Sequence, residues 1–256
     1  MATRRGVSLS QLVRYCDSLF RPRELLDWEG AWNGLQVENR GRVSKVAAAV
    51  DARRATIEAA REAKADLLLV HHGLFWGDSV PWTGSRYQLL RSLLDHDLAV
   101  YSMHLPLDEH PRLGNNILLC RALRLRQPRP FFTTKGRKIG FQSSTILDRD
   151  ELAGRLATVT GCAPLMLPGG PRVCRRIGVV SGGAGADLRQ AAAEGVDTFI
   201  TGEGPHWTHA AADDLGLNVM YGGHYATETL GVKALAAQVA RRFGLPWVFL
   251  DHPTGL

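Results

Sequence analysis

The sequence predicts an α/β protein, because segments typical of buried strands alternate with segments typical of helices along most of its 256 residues. Aliphatic runs such as ADLLLV at 65–70 have the composition of strands buried on both faces. The composition, 45% apolar and 22% charged, is that of a globular chain long enough for one large or two small domains.

The first half of the chain is expected to begin with an amphipathic helix, SLSQLVRYCDSLF, capped by Ser8 or Ser10. Five further elements follow in alternation after the strand VSKVAAAVD at 43–51: a helix at 52–65, a strand at 65–70, a helix at 87–97, a strand at 98–104 and a helix at 115–125. The Pro-rich segment QPRPFF at 127–132 breaks this rhythm, so we expect a domain boundary near it.

The second half of the chain shows the same alternation. Strands are predicted at KIGFQSSTI (138–146), RRIGVVSG (175–182), VDTFITGE (196–203) and LNVMYGG (217–223). Helices are predicted at 148–161, at 186–195 and from about Thr227 to Phe243.

The composition disfavours several classes of protein. The cysteines Cys16, Cys120, Cys162 and Cys174 form no CxxC pair, which argues against a thiolate zinc site and a disulfide framework. The formal charge of +6 favours anionic ligands, but the basic stretches at 121–130 and 133–138 are short, so nucleic acid is not the expected partner. We expect no membrane span, no secretory signal in MATRRGVSLSQLV and a cytoplasmic location.

Histidines and carboxylates follow three of the predicted strands. They are His71 and His72 after DLLLV, His104 and Asp108 in SMHLPLDEH, and His224 and Glu228 in GGHYATETLGV. Ligands of open α/β sheets collect beyond the carboxyl ends of the strands, so these three places are expected to converge. Four imidazoles and two carboxylates suit two divalent ions per chain, drawn from Zn, Fe, Mn, Co or Ni, with room for a shared water or hydroxide.

Each spacing also has a simpler explanation. His224 and Glu228, four residues apart, share a face if helical, but a surface i,i+4 pair would look the same. Pro106 makes a shaped loop more natural than a helix between His104 and Asp108. Adjacent histidines act together only if the strand has ended and the chain turns, which Gly73 permits. Any one of these histidines, taken alone, is more often a core or surface residue than a ligand.

Several motifs in one order resemble the NIF-three-like family, the GTP cyclohydrolase I type 2 homologues. The resemblance is carried by NGLQVE at 33–38, VHHGLFW at 70–76, HLPLDEHPRLGNN at 104–116, TGEGPHW at 201–207 and GGHYATETLGVKAL at 222–235. It implies a dinuclear metal site on the six residues above. It also implies two interlinked α/β units, a metal-binding domain at 1–127 plus 221–256 and a second domain inserted at 128–220, without the large extra insertion of longer members. Toroidal homohexamers are expected by the same resemblance.

Other motifs leave alternatives open. Glu203 and His206 in TGEGPHW are candidates to support the ligands or hold a substrate, although a loop shaped by its glycines is as good an explanation. SGGAG at 181–185 lacks both phosphate-loop patterns, so a tight turn is the better interpretation. The four aromatic residues that are candidates to stack a base, or simply to pack, are Trp76, Trp82, Phe131 and Phe132.

The function expected from these residues is metal-dependent hydrolysis of an anionic small molecule, with GTP indicated by the family resemblance. A metal-bound hydroxide would attack an electrophilic carbon or phosphorus. Glu228 or Asp108 is a candidate to move protons, but a metal-bound carboxylate is a poor base, and Glu203 or His206 is the alternative. Two other hypotheses remain: a non-catalytic scaffold or regulatory protein stabilised by metals, and nucleic acid threaded through a basic ring.

Overall fold

The structure is a computed structural model that describes residues 6–24, 26–77 and 80–256. The chain forms two compact units: unit 1 comprises Met1–Leu107 and Gly231–His252, and unit 2 comprises Asp108–Leu230 and Pro253–Leu256. Unit 2 therefore interrupts unit 1 in sequence. The boundaries expected from the sequence, 127/128 and 220/221, stay a prediction. Residues 1–5, part of the stretch read as lacking a secretory signal, lie outside the described residues.

The elements of the first 108 residues follow one another closely. They are β1 (Val7–Ser8), α1 (Leu9–Phe20), β2 (Gly34–Val37), β3 (Arg42–Val43), β4 (Val46–Asp51), α2 (Arg54–Glu62), β5 (Leu67–His72), α3 (Gly84–Asp95), β6 (Ala99–Ser102) and α4 (Leu105–Asp108).

The remaining elements include two strands and one helix that the sequence analysis did not predict. They are α5 (Asn115–Ala122), β7 (Arg129–Thr134), β8 (Arg137–Ser143), β9 (Leu147–Asp148), α6 (Arg149–Thr160), β10 (Leu165–Pro168), β11 (Val173–Cys174), β12 (Ile177–Val179), a 3-10 turn (Ala184–Asp187), α7 (Leu188–Ala193), β13 (Thr198–Thr201), α8 (Thr208–Leu215), β14 (Asn218–Tyr221), α9 (His224–Phe243) and β15 (Trp247–Phe249). The unpredicted elements of ordinary length are β7, β10 and α8.

Unit 1 is built on a five-stranded sheet with the order β15-β4-β5-β6-β2. Its first four strands are parallel, and β2 runs antiparallel to β6 at the edge. The central strands read almost wholly aliphatic because both faces are covered. One core cluster of this unit contains Ile57, Leu68, Val70, Leu93 and Val100. The carboxyl ends of β4, β5 and β6 therefore form one common edge.

Unit 2 is built on a six-stranded sheet with the order β10-β14-β13-β12-β8-β7. The strands β12, β13 and β14 are parallel, and the other three run antiparallel to their neighbours. Its core cluster contains Leu119, Leu156, Ile177, Ile200 and Met220. The α/β fold class predicted from the sequence is confirmed, with several sheets and helices in the two units.

The QPRPFF segment shows where sequence reasoning missed an element. Residues 129–134 form β7, the edge strand of the six-stranded sheet, where Pro130 needs no ladder partner for its missing N–H. Phe131 and Phe132 are 0% and 2% exposed, and Phe132 stacks on Phe199 with ring centroids 5.6 Å apart. These two aromatics pack the core and are not base-stacking groups.

In the described part of the chain, no helix is long and apolar enough to cross a membrane.

Replacing Leu68 by alanine should lower the stability of the protein by about 2–5 kcal/mol, because the fully buried side chain leaves a cavity in the unit 1 core. The matched change Leu94→Ala, at a residue that is 61% exposed on α3, should cost less than about 0.5 kcal/mol. Urea unfolding followed by circular dichroism measures both. Equal midpoints for the two variants would contradict the assignment of Leu68 to the core.

Candidate metal-binding residues

Three histidines of unit 1 converge at the carboxyl edge of its sheet. His71 and His72 end β5, and His104 follows the neighbouring strand β6. One ligand atom from each ring lies within 4.8 Å of the other two. Their ring centroids are 4.7–5.5 Å apart. His71 is fully buried, whereas the side chains of His72 and His104 are 20% and 12% exposed.

The orientation of each ring is fixed through its Nδ1 atom. His71 donates to the Met103 carbonyl (2.9 Å), His72 to Asp51 Oδ1 (2.8 Å) and His104 to Asp27 Oδ1 (2.8 Å). A carbonyl or an ionised carboxylate only accepts, so Nδ1 of each ring carries the proton. The neutral imidazole then has its lone pair on Nε2, which is the atom that binds a metal in carboxylate–histidine–metal arrangements.

Asp27 is the most constrained of these acceptors. Besides His104, its two oxygen atoms accept hydrogen bonds from the Trp28 backbone N–H (2.7 Å) and the Asn33 amide (2.7 Å). Burial raises the pKa of Asp27, but the hydrogen bond and charge of His104 and the bond from Asn33 outweigh it, so the pKa is lowered. The carboxylate therefore stays ionised and accepts the Nδ1 hydrogen bond that orients the His104 ring.

Sequence reasoning missed both Asp27 and Asp51. Asp27 lies in an irregular segment 77 residues from His104, and nothing in its sequence neighbourhood indicates the contact. Asp51 had a usable signal, because it ends the strand paired with β5 and its register partner is His72. A carboxylate at the end of a strand beside a histidine-bearing strand is a reason to test for such a pair.

The strand was expected to have ended at the paired histidines, with a turn that Gly73 permits, and this is wrong because both histidines belong to β5. Their side chains leave opposite faces of the sheet but meet beyond its edge, because β5 ends at His72 and nothing continues the strand. Gly73 has a different role from the one expected. Its φ is not positive, and a Cβ there would collide with the Gln36 amide, which accepts the Leu74 N–H at 2.6 Å.

The expected loop between His104 and Asp108 is also wrong, because residues 105–108 form the one-turn helix α4. Pro106 lies in the first turn, where its missing N–H would have no intrahelical partner. Asp108 is 5% exposed, and its Oδ1 accepts from the Asn115 amide (2.8 Å) and the Ser181 hydroxyl (3.2 Å). It is held in unit 2, outside the group of three histidines.

The remaining two predicted ligands lie at the start of α9 in unit 2. The helix begins at His224, three residues earlier than predicted, and His224 Nε2 lies 3.3 Å from Glu228 Oε1 one turn later. The i,i+4 geometry expected for this pair is therefore present. On its other side, His224 Nδ1 lies 2.7 Å from Glu203 Oε1. Glu203 thus has the position that Asp27 and Asp51 have in unit 1.

The two glutamates change the charge state of His224. Burial lowers its pKa, but the hydrogen bonds and negative charges of Glu228 and Glu203 raise it further, to about 9. In the metal-free protein the ring is therefore an imidazolium at neutral pH, and binding a metal through Nε2 must release that proton.

The SGGAG segment packs on this pair and is a turn, not a phosphate loop. Gly182 has φ +71°, and a Cβ there would collide with Glu228 Oε1. Its N–H donates to Thr227 Oγ1 of α9 (3.1 Å). Glycine is therefore required both for the left-handed backbone and for the close approach to the carboxylate.

The other candidate residues have clear places. His206 is exposed on the segment before α8, and no hydrogen bond or ion pair of the described residues joins its ring to the ligand sets. Trp76 lies edge-on to His104, with ring centroids 4.8 Å apart. Trp82 packs edge-on against Phe75 at 5.9 Å.

The three histidines of unit 1 fit a divalent cation. Nitrogen ligands at about 2.0–2.1 Å from a tetrahedral ion lie about 3.4 Å from one another. The three ligand atoms here lie within 4.8 Å of one another, so small side-chain rotations suffice to close the site. The three residues offer no thiolate, and Cys16 and Cys120 are buried, with the pKa of Cys120 raised by burial to about 12.

The chain belongs to the Duf34/NIF3 (NGG1p interacting factor 3) family, whose model matches residues 7–254. It is 41% identical over 257 residues to the GTP cyclohydrolase 1 type 2 homolog of Deinococcus radiodurans, covering 99% of this chain and 97% of that protein. It is 44% identical over 238 residues to the protein of the same name from Halobacterium salinarum, covering 89% and 92%. The crystal structure of TTHA1606 from Thermus thermophilus matches with a TM-score of 0.91 and 41% identity, covering 98% of this chain and 100% of that one. The family predicted from the motifs is confirmed.

Asp27→Asn should weaken metal binding by the unit 1 histidines by about 10–100-fold, because His104 loses the anionic acceptor that fixes its ring. Competition between the protein and a chromophoric chelator for Zn²⁺ measures the affinity. The control is Asp95→Asn, which removes a 58% exposed carboxylate paired with Arg91 and should leave the affinity unchanged. Identical affinities for wild type and Asp27→Asn would contradict the role given to Asp27.

In chelator-treated protein, the His224 imidazole should titrate near pH 9, above its ordinary value of 6.5. Because the folded-state pKa is raised, the charged ring stabilises the fold below pH 6.5, and this contribution is lost as the pH rises through about 9. Imidazole NMR shifts followed against pH measure the midpoint, and Glu203→Gln should lower it. A midpoint at or below 6.5 would contradict the paired geometry.

Proposed function

We propose that the protein is a hydrolase that uses two divalent metal ions per chain and acts on a nucleotide or a similar anionic substrate. The observation that supports this most directly is the common arrangement of the four candidate histidines, each of which has Nδ1 against a fixed oxygen acceptor. In a neutral imidazole such a bond leaves Nε2 as the metal-binding atom, whereas His224 must first release the Nε2 proton that faces Glu228.

The proposed ligands are three residues from each unit. They are His71, His72 and His104 of unit 1, and Asp108, His224 and Glu228 of unit 2. Nitrogen and oxygen donors without thiolate suit Zn, Fe, Mn, Co or Ni. Metal ions bound there would lower the pKa of coordinated water and stabilise negative charge that develops on a substrate oxygen.

The acidic residues near the candidate histidines divide into proposed metal ligands and a residue proposed to transfer protons. Asp108 and Glu228 are 5% and 3% exposed, which suits ligands and hinders proton exchange with water. Glu203 is not a proposed ligand, and its side chain is 45% exposed while bonded to His224. Glu203 is therefore the better candidate to accept or deliver a proton, and exposed His206 is the weaker one.

The choice of substrate follows from charge and from the relatives. The chain carries a formal charge of +6, and the relatives matched over nearly their whole length are named GTP cyclohydrolase 1 type 2 homolog. GTP is therefore the first substrate to test, with hydrolytic opening of its purine ring as the first reaction. A toroidal homohexamer and a cytoplasmic location belong to the same proposal and rest on family resemblance and composition. Light scattering of the purified chain tests the oligomer.

A second candidate function is a metal-stabilised scaffold or regulatory protein without catalysis. It is favoured by the burial of His71 (0% exposed) and Glu228 (3% exposed), because a metal bound to buried side chains also stabilises the fold. Under this alternative, chelation lowers the unfolding temperature and no chemical reaction depends on the metal.

Metal-loaded wild type should convert GTP or a related nucleotide, and Glu228→Gln should lose at least about 100-fold in kcat because a neutral amide replaces a ligand carboxylate. Liquid chromatography with mass spectrometry measures the product, and circular dichroism checks that the variant folds. Glu62→Gln, at a 72% exposed glutamate of α2, is the matched control and should retain full activity. Turnover that survives both chelation and Glu228→Gln would contradict the proposal, whereas stabilisation by metal without turnover of any nucleotide would favour the scaffold.

A further inference from the structure

A small aromatic pocket in unit 1 adjoins the histidines and is not used by the proposed chemistry. Its walls are Trp32, Phe75, Trp76, Val80, Trp82 and Arg86. Trp32 is 69% exposed and Trp76 is 38% exposed, which is unusual for such large apolar side chains. Exposed aromatic groups gathered around a concavity mark a place where something binds.

One wall of the pocket is shared with the metal ligands. The Trp76 ring lies edge-on to His104, with centroids 4.8 Å apart, and edge-on to His72 at 5.7 Å. Its Nε1–H donates to the Gly73 carbonyl at 2.9 Å, which fixes the indole in place. A single small molecule can therefore contact Trp76 with one end and the histidines with the other.

Another part of the lining combines a second indole with a cation. The Arg86 guanidinium lies 5.1 Å from the centroid of the Trp82 ring, and its Nη1 donates to the Val80 carbonyl at 3.1 Å. Guanidinium groups stack on aromatic faces and retain in-plane donors for oxygen acceptors. The remaining N–H donors of Arg86 favour a carbonyl-bearing ligand edge at this wall.

The dimensions of the pocket limit what it can hold. Its volume is about 100 Å³, well below the roughly 300–1,000 Å³ of pockets that enclose a whole ligand, so it accommodates only part of a nucleotide. Indole walls favour a planar ring, because stacking rewards parallel π-faces. The anionic remainder of the same molecule would extend toward the histidines.

We propose that this pocket binds the planar heteroaromatic ring of the substrate, with Trp32, Trp76 and Trp82 as stacking surfaces and Arg86 as the group that contacts a ring oxygen. The inference rests on the proposed function, since it assigns ring recognition to the same site. It makes Trp32 and Trp82 specificity-determining residues.

The direct test is binding of guanosine, which has the ring but no phosphate, by equilibrium dialysis against the full-length protein. Wild type should bind guanosine more tightly than ribose, with or without Zn²⁺. Trp32→Ala and Trp82→Ala should each weaken guanosine binding by about 5-fold or more. Trp207→Ala, at a 48% exposed tryptophan of unit 2, is the matched control and should bind as wild type does.

Three results would overturn the proposal. They are equal binding of guanosine and ribose, unchanged affinity in both variants, and a change of oligomeric mass in Trp32→Ala with unchanged guanosine affinity, which would reassign the patch to an interface between copies. Because guanosine binding needs no reaction, the two proposals fail separately. Nucleotide turnover without guanosine binding would contradict the ring-binding proposal alone. Guanosine binding without turnover would contradict the hydrolase proposal alone.

Discussion

The hydrogen bond from a histidine Nδ1 to a fixed oxygen acceptor is the interaction on which the candidate site depends. Each of the four candidate histidines makes it, with acceptors from the backbone at Met103 and from the carboxylates of Asp51, Asp27 and Glu203. Each bond fixes one ring orientation, and in a neutral imidazole it also selects the tautomer. Without it, an imidazole at a sheet edge would rotate about χ2 and would offer either nitrogen to a metal.

Within each unit, the sheet makes these bonds possible because the ends of neighbouring strands lie side by side. In unit 1, the register that pairs Asp51 with His72 brings a carboxylate and an imidazole to the same edge. In unit 2, the segments after β12, β13 and β14 carry Ser181, Glu203 and His224. The parallel arrangement collects the ends of strands that are far apart in sequence, which is why the site needs no contiguous motif.

Sequence reasoning could identify the candidate ligands but not most of their hydrogen-bond partners. His71, His72 and His104 follow aliphatic runs that predict buried strands, so their common edge follows from the α/β pattern. Asp27 has no such signal, because its contact with His104 depends on the path of an irregular segment. The prediction of a loop at Pro106 was wrong because proline is tolerated in the first turn of a helix. The spacing of residues does not show where a helix begins. β7 was missed because Pro130 is tolerated only at a sheet edge, and edge position is a tertiary property.

The most direct test of this account is the identity of the histidine nitrogen that binds metal. Imidazole ¹⁵N NMR of the Zn²⁺-loaded protein distinguishes a metal-bound nitrogen from a protonated one. The account predicts metal at Nε2 and a hydrogen-bonded proton at Nδ1 for His71, His72, His104 and His224. Metal at Nδ1 of these rings, or imidazole spectra that do not change when Zn²⁺ is added, would contradict it.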